Sequence, residues 1–208
     1  MLSRADFASQ DNVSRETLAC FDVWKDLVQR WNQRINLVSP KAIDDFWGRH
    51  ALDSWQLWQH VPKPAATFLD LGSGAGFPGL AIAIGCKIEG RGHVTLVESA
   101  GKKANFLRTA IRELDLPAAV WAERAEKLEP KPYDVITARA FAPLPRLFTY
   151  AQPFWGENTT GLLLKGENVS EELTDAEKTW ISNVESFPSE SDSRGVILKI
   201  TGLSNNPT

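Results

Sequence analysis

Cysteine is scarce here: Cys20 and Cys86 are the only two in 208 residues, far apart and without metal-ligand spacing. That excludes a disulfide framework and a cysteine-bound zinc site, and leaves two reduced, buried thiols as the expectation. Long apolar runs are missing as well. None approaches the roughly 20 residues of a membrane span. The opening Met1-Leu2-Ser3-Arg4-Ala5-Asp6 also lacks the apolar segment of a secretory signal. No membrane partner is expected, and the cytoplasm is the expected compartment. An excess of positive charge is the third absence. With 23 Lys and Arg against 26 Asp and Glu, the formal net charge is −3. Broad, non-specific binding to nucleic acid is thereby excluded, though one local basic face is not. No internal repeat or low-complexity tract is visible, and the length suits one core-forming domain.

What is present centres on Thr67-Phe68-Leu69-Asp70-Leu71-Gly72-Ser73-Gly74-Ala75-Gly76-Phe77-Pro78-Gly79-Leu80. A short apolar run of strand type leads into three glycines at alternate positions, and Leu80-Ala81-Ile82-Ala83-Ile84 follows. The order reads as strand, tight glycine turn and helix. Gly72 and Gly74 let the backbone turn with positive φ and let a ligand lie against bare main chain. Pro78 suits a first helical turn, whose free N–H groups face whatever lies above. The dinucleotide fingerprint G-x-G-x-x-G fails when counted from Gly72, because its last position is Phe77. Counted from Gly74 it matches through Gly76 and Gly79, two residues later than a tight turn wants. A nicotinamide-dependent oxidoreductase therefore stays open. The fuller pattern, Asp-x-Gly-x-Gly-x-Gly with Asp70 in front, resembles the first motif of S-adenosylmethionine-dependent methyltransferases. A cofactor ending in an amine and a carboxylate suits it. Asp70 would help to hold the amine, directly or through water, and backbone N–H groups would receive the carboxylate.

Upstream, residues 14–35 place Leu18, Phe21, Trp24, Leu27, Val28 and Trp31 at helical spacing behind Ser14 as cap. A second helical region is expected from about Lys41 to His60. Five of the eight tryptophans fall in the first 60 residues; at this spacing they read as core, with stacking on RNA bases as the alternative. Pro62-Lys63-Pro64 ends the segment. Residues 1–64 are thus an N-terminal helical segment packed on a domain of residues 65–203, with 204–208 as a loose tail.

Downstream, His93 to Glu98 reads as a second strand, with Glu98 at its carboxyl end to accept both ribose hydroxyls of a nucleoside. Lys102 to Leu114 is an amphipathic helix whose Lys102, Lys103, Arg108 and Arg112 make a phosphate-facing surface or an ordinary solvated one. After a third strand, Ala118 to Trp121, Ala125 and Glu126 are placed to read an adenine edge. A fourth strand, Tyr133 to Thr137, runs into Ala138-Arg139-Ala140-Phe141 and sets Arg139 at the cleft. A helix follows to about Gln152. A fifth strand, Gly161 to Gly166, carries Lys165 to the same edge, and a helix from Ser170 to Trp180 comes next. A strand pair, 184–187 and 195–200, closes the domain. The expected fold is α/β: a Rossmann-like, doubly wound, mostly parallel sheet of the class I methyltransferase type, with an antiparallel closing strand and the N-terminal helical segment.

Five motifs occur in order: Arg49-His50-Ala51-Leu52-Asp53-Ser54, the stretch Asp70 to Gly79, Gly101-Lys102-Lys103 with Phe106-Leu107, Ala138-Arg139-Ala140-Phe141, and Leu164-Lys165-Gly166. Together they resemble the bacterial 16S ribosomal RNA guanine-N7 methyltransferases, over roughly residues 20–200. The resemblance implies S-adenosyl-L-methionine as cofactor, touched by Gly72, Phe77, Ala125, Glu126 and Arg139. It implies as substrate guanine 527 in the 530 loop of 16S rRNA, presented on the small ribosomal subunit; a monomer is expected.

Guanine N7 carries an available lone pair, so no catalytic acid or base and no metal ligand is assigned. An Arg gripping N7 would block that lone pair. Arg139 is therefore expected on the cofactor carboxylate or a phosphate, or at most on O6. Lys165 is the candidate for O6 or phosphate, with a structural ion pair as the alternative. Arg49 is an RNA contact or a solvated charge. His50 and Asp53 share a helix face and are expected to brace the N-terminal segment. A non-catalytic RNA-binding or assembly protein on the same fold is the remaining rival.

Overall fold

Caps decide where the first helices begin. A computed structural model describes residues 2–206. Helix α1 (Arg4–Ala8) opens behind Ser3, which exchanges hydrogen bonds with Asp6. It is too short to show a period and is absent from the sequence reading. Helix α2 (Arg15–Asn32) opens behind Ser14, whose hydroxyl accepts from the Thr17 N–H at 3.0 Å. The helix expected from Lys41 to His60 is broken up. It consists of α3 (Pro40–Asp44), a wide π turn (Trp47–Leu52), α4 (Asp53–Trp55) and a 3₁₀ turn (Gln56–His60). Wide turns of this kind are rare and tend to mark functional positions.

Seven strands follow: β1 (Thr67–Leu71), β2 (His93–Val97), β3 (Ala118–Trp121), β4 (Tyr133–Arg139), β5 (Trp155–Lys165), β6 (Trp180–Pro188) and β7 (Val196–Asn205). Their order in the sheet is 3-2-1-4-5-7-6. The pairs among β1 to β5 are parallel, and β7 runs antiparallel to both β5 and β6. A dinucleotide-binding sheet has the order 3-2-1-4-5-6. The inserted antiparallel β7 separates this fold from that one, which removes the structural ground for the nicotinamide reading.

Helices α5 (Gly79–Glu89), α6 (Gly101–Leu114), α7 (Leu144–Ala151) and α8 (Val169–Glu177) cover the sheet. Alternate strand residues feed two cores. Phe68 and Val135 join α5, α6 and the N-terminal segment on one face, while Leu69, Leu71 and Ile136 join α7 and α8 on the other. Helix α5 is apolar all round because it is covered all round. Leu80 to Ile84 are buried, and the Trp58 ring lies so close over Gly85 that a Cβ there would meet it at 2.5 Å. Phe7, Phe21, Trp24, Phe46 and Trp55 belong to the same continuous cluster, so the N-terminal segment shares the core of the sheet. Trp24, Trp47 and Trp55 are core residues, whereas Trp31 and Trp58 are half-buried.

The tail differs from expectation. Ser204 and Asn205 are the last rungs of β7, opposite Ile181 and Trp180, and Asn206 donates its N–H to the Thr179 carbonyl at 2.9 Å. Ladder hydrogen bonds prevail there over polar composition. Pro207 and Thr208 lie outside the described residues. Both cysteines are free, Cys86 buried and Cys20 only half-buried. Among the described residues no helix is long and apolar enough to cross a membrane.

Candidate functional site

Register assembles the site. Leu71 lies level with Val97 on one side and with Ala138 on the other, and Arg139 lies level with Leu164. Gly72, Glu98, Arg139 and Lys165 therefore leave the sheet side by side at its carboxyl edge, where open α/β sheets bind ligands. Gly72 and Gly74 both adopt positive φ, +71° and +57°. Above Gly72 sits the Phe141 ring, 2.3 Å from where a Cβ would be, whereas a Cβ on Gly74 would meet nothing nearer than 3.8 Å. Glu98 ties this turn to the start of α6. Its Oε2 accepts from the Gly74 N–H at 2.9 Å and its Oε1 from the Ala100 N–H at 2.7 Å. Gly72, Glu98, Ala125, Glu126, Phe141 and Tyr150 line a hollow of about 250 Å³.

Asp70 is not part of that hollow. It is fully buried beneath the turn, where Oδ1 accepts from the Thr137 hydroxyl at 2.7 Å and Oδ2 has no hydrogen-bond partner. Burial pushes its carboxyl up to about 6, against the Thr137 hydrogen bond. A Cβ on Gly79 would stand 2.5 Å from Oδ2, so the glycine opening α5 makes room for this strut. The expected contact with a cofactor amine is thus corrected: Asp70 pairs with its neighbour in β4 and supports the turn from below.

Phe77 likewise turns away. Its ring stacks on His50 (centroids 4.1 Å, planes 10° apart) and on Trp24 (4.6 Å, 27°), inside the N-terminal core. The Trp24 indole N–H also donates to the Ala75 carbonyl at 3.3 Å, which pins the glycine turn to α2. The ring of Phe77 is accordingly no wall of the hollow, and only its main chain is left for a ligand.

Arg139 emerges from β4 into a nest built by the N-terminal segment. Its Nη2 lies 3.3 Å from His50 Nδ1, its Nη1 3.0 Å from Asp53 Oδ2, and its guanidinium 5.7 Å from the Phe77 ring centre. Because Arg only donates, His50 Nδ1 accepts and the imidazole proton sits on Nε2. Burial first, and then the charges of Arg139 and Arg49, push His50 down to about 3, so it is neutral. The contact to Asp53 is too bent for a hydrogen bond, and Nη1 is buried without one. Burial shifts both ion-pair partners toward their neutral forms, Asp53 upward and Arg139 downward. Asp53 is held in turn by the Ser191 hydroxyl at 2.6 Å and the Gln56 amide at 3.2 Å. The helix-face pair thus braces more than the N-terminal segment: it grips the strand-end cation.

A second cleft, of about 560 Å³, opens beside the hollow, lined among others by Asp53, Arg139, Phe141, Lys165, Glu172 and Asp192. Phe141 walls both spaces. Ala140 swings it there with φ +49°, a left-handed conformation that non-glycine residues rarely adopt. Lys165 donates to Glu172 Oε2 at 2.6 Å and to the Ala142 carbonyl at 2.9 Å. Arg49 is exposed on the π turn, 3.6 Å from Asp45, and close enough to Arg139 to lower its pKa. Sequence reasoning named Ala140 and Phe141 only as motif letters and did not reach Glu172, Ser191 or Asp192. For Phe141 the signal was there, two residues past a strand-end arginine. Among the described residues no three His, Cys, Asp or Glu side chains gather to hold a metal.

The open cradle over Gly74, the carboxylate ending the next strand and a hollow with two aromatic walls fit an adenosyl cofactor. With the 3-2-1-4-5-7-6 sheet they define a class I methyltransferase. The structure of "M. jannaschii TYW2 in complex with AdoMet" shares this fold at TM-score 0.55 and 12% identity, covering 84% of this chain and 80% of that one. The family model described as rRNA small subunit methyltransferase G matches residues 18–196. "Ribosomal RNA small subunit methyltransferase G" of Hyphomonas neptunium is 49% identical over 197 residues, which cover 95% of this chain and 93% of the relative. The protein of that name from Rhodospirillum rubrum is 45% identical over 194 residues, 93% and 94% of the two chains. The chain belongs to the rRNA small subunit methyltransferase G family.

Proposed function

We infer that this protein methylates small-subunit ribosomal RNA at the expense of S-adenosyl-L-methionine, and that the acceptor is N7 of guanine 527 in the 530 loop of 16S rRNA. It acts as a monomer in the cytoplasm, on RNA within the small ribosomal subunit. Gly72, Gly74 and Glu98 hold the ribose side of the cofactor, Ala125 and Glu126 the adenine, and Arg139 the carboxylate. When bound, S-adenosylmethionine supplies an electrophilic methyl group on a sulfonium. Phe141, which lines both spaces, flanks the junction of cofactor and base and helps to exclude water there. Arg49, exposed near Arg139, is placed for an RNA phosphate.

One observation carries the choice of N7. Every carboxylate lining the larger cleft is committed: Asp53 to Arg139 and Ser191, Glu172 to Lys165 and the Leu144 N–H, and Asp192 to Arg194. None stands ready to take a proton. Guanine N7 needs none removed, because its lone pair is already available. Positioning at about 3–3.5 Å and exclusion of water then supply the acceleration. The test is methyl transfer from labelled S-adenosylmethionine to purified small subunits lacking the modification, with the base identified by mass spectrometry. Label at N7 of that guanine is the expected result. Label on another base overturns the assignment, and no cofactor binding at all overturns the enzyme.

A further inference from the structure

We propose that the groove between α2 and α6 is a binding track for a single-stranded segment of the substrate RNA. This rests on the reading of the chain as an rRNA methyltransferase and names the surface that holds the RNA. The groove encloses about 790 Å³ and lies on the face of the sheet carrying the N-terminal segment. Three cations line it: Arg30 and Arg34 at the end of α2 and beyond, and Lys102 in the first turn of α6. All three are exposed, and among the described residues none forms a salt bridge. The one carboxylate in the lining, Glu113, is taken by Arg112 at 3.1 Å.

Trp31 lines the same groove. Its ring packs edge-on against Phe106 at 5.7 Å, and the residue is half-buried with part of its surface left open to the groove. Unpaired arginines beside a fixed aromatic plane are what a single strand needs: charge for the phosphates and a surface for a base. Asn105 and Thr109, one helical turn apart on α6, add polar side chains along the floor. The groove also points to the chemistry. Glu98 and Ser99 line the cofactor hollow and Lys102, three residues past Ser99, lines the groove, so the start of α6 serves both.

The test compares two doubly substituted proteins with the same charge change. Arg30→Glu with Arg34→Glu reverses the groove; Lys63→Glu with Lys131→Glu reverses two exposed lysines at the opposite, amino end of the strands. Equilibrium binding of a fluorescent 16S rRNA fragment is measured against salt, alongside S-adenosylmethionine affinity and methyl transfer by the unaltered protein. The groove variant should bind RNA at least tenfold more weakly with unchanged cofactor affinity. Its salt dependence should flatten by about 1.4 in log–log slope, at about 0.7 per single-strand phosphate contact. The control should bind within twofold of the unaltered protein. Equal RNA binding by the groove variant, or equal loss in both variants, overturns the track while methyl transfer by the unaltered protein keeps the enzyme reading. If the unaltered protein binds the fragment through Arg30 and Arg34 but transfers no methyl group to purified small subunits, the assigned acceptor falls and the track stands.

Discussion

Arg139 and Lys165 end neighbouring parallel strands at one edge of the sheet, and a sequence reader treats them alike. Their surroundings differ. Lys165 is 11% exposed, and its ammonium is already divided between a carboxylate at 2.6 Å and a carbonyl at 2.9 Å. Arg139 is 23% exposed and offers five donors in a planar fork. Nη2 reaches His50, while Nη1, in its bent contact with Asp53, is buried without a hydrogen bond. A buried donor left unmade costs about 1–3 kcal/mol, so Arg139 gains from a ligand what Lys165 has already obtained from Glu172. Availability at this edge is set by what comes back to meet each strand end.

The sharpest way to break that contrast is Arg139→Ala. S-adenosylmethionine affinity should fall about 100-fold, from ~3 kcal/mol of charge-assisted hydrogen bonding. The fold should also weaken by about 3 kcal/mol, because Asp53 is left largely buried without its cation. Arg139→Lys restores the charge without the fork and should recover about tenfold in affinity. Calorimetric titration reads the first effect and thermal unfolding the second. Affinity within threefold of the unaltered protein in Arg139→Ala would make the two strand ends equivalent after all.

A smaller effect tests the nest around Arg139. His50 is neutral, with its pKa lowered to about 3, so its contribution to stability is complete above about pH 6.5 and is lost as pH falls toward 3. Asp70 works the other way. Its pKa is raised to about 6, so its contribution is present below about pH 4 and lost as pH rises through 6. The two slopes oppose one another between pH 4 and 6. His50→Gln removes only the first. Between pH 7 and 4.5 the variant should therefore lose about 2 kcal/mol less stability than the unaltered protein. Urea unfolding at both pH values measures it. Parallel losses would mean that His50 is not the neutral acceptor that orients Arg139.

Much of this was legible in the sequence because it is local. The strand, glycine turn and helix around Gly72 follow from spacing, and the carboxyl-edge placement of Glu98, Arg139 and Lys165 follows from strand ends. Partners were not legible where they arrive from far along the chain. Arg139 meets His50 across 89 positions, and Asp53 meets Ser191 across 138. The break of the second helix into a π turn at Trp47–Leu52 left no mark either, since aromatic and aliphatic residues continue through it at helix-like spacing. Asp70 was misplaced for a related reason. The motif gives its letter, but only the register with Thr137 shows that its carboxylate points below the turn. Polar residues hid the start of β5, whose Thr159 hydroxyl donates to the Tyr133 carbonyl at 2.6 Å.

The mildest substitution tests the other side of the contrast. Lys165→Met keeps most of the apolar stem and removes the charge. Glu172 is left without its cation, but it is 26% exposed and still accepts from the Leu144 N–H at 2.8 Å, so its loss is small. The Ala142 carbonyl loses its only side-chain donor among the described residues. Stability should fall by about 1 kcal/mol, the worth of one partly exposed pair and its hydrogen bond. Cofactor affinity should not change, and methyl transfer to small-subunit RNA should stay within threefold. A loss of 100-fold in transfer at unchanged cofactor affinity would mean that the ammonium leaves Glu172 when RNA arrives. Glu172 would then be a holder of the charge between turnovers, and Lys165 would belong with Arg139 among the residues that meet a ligand.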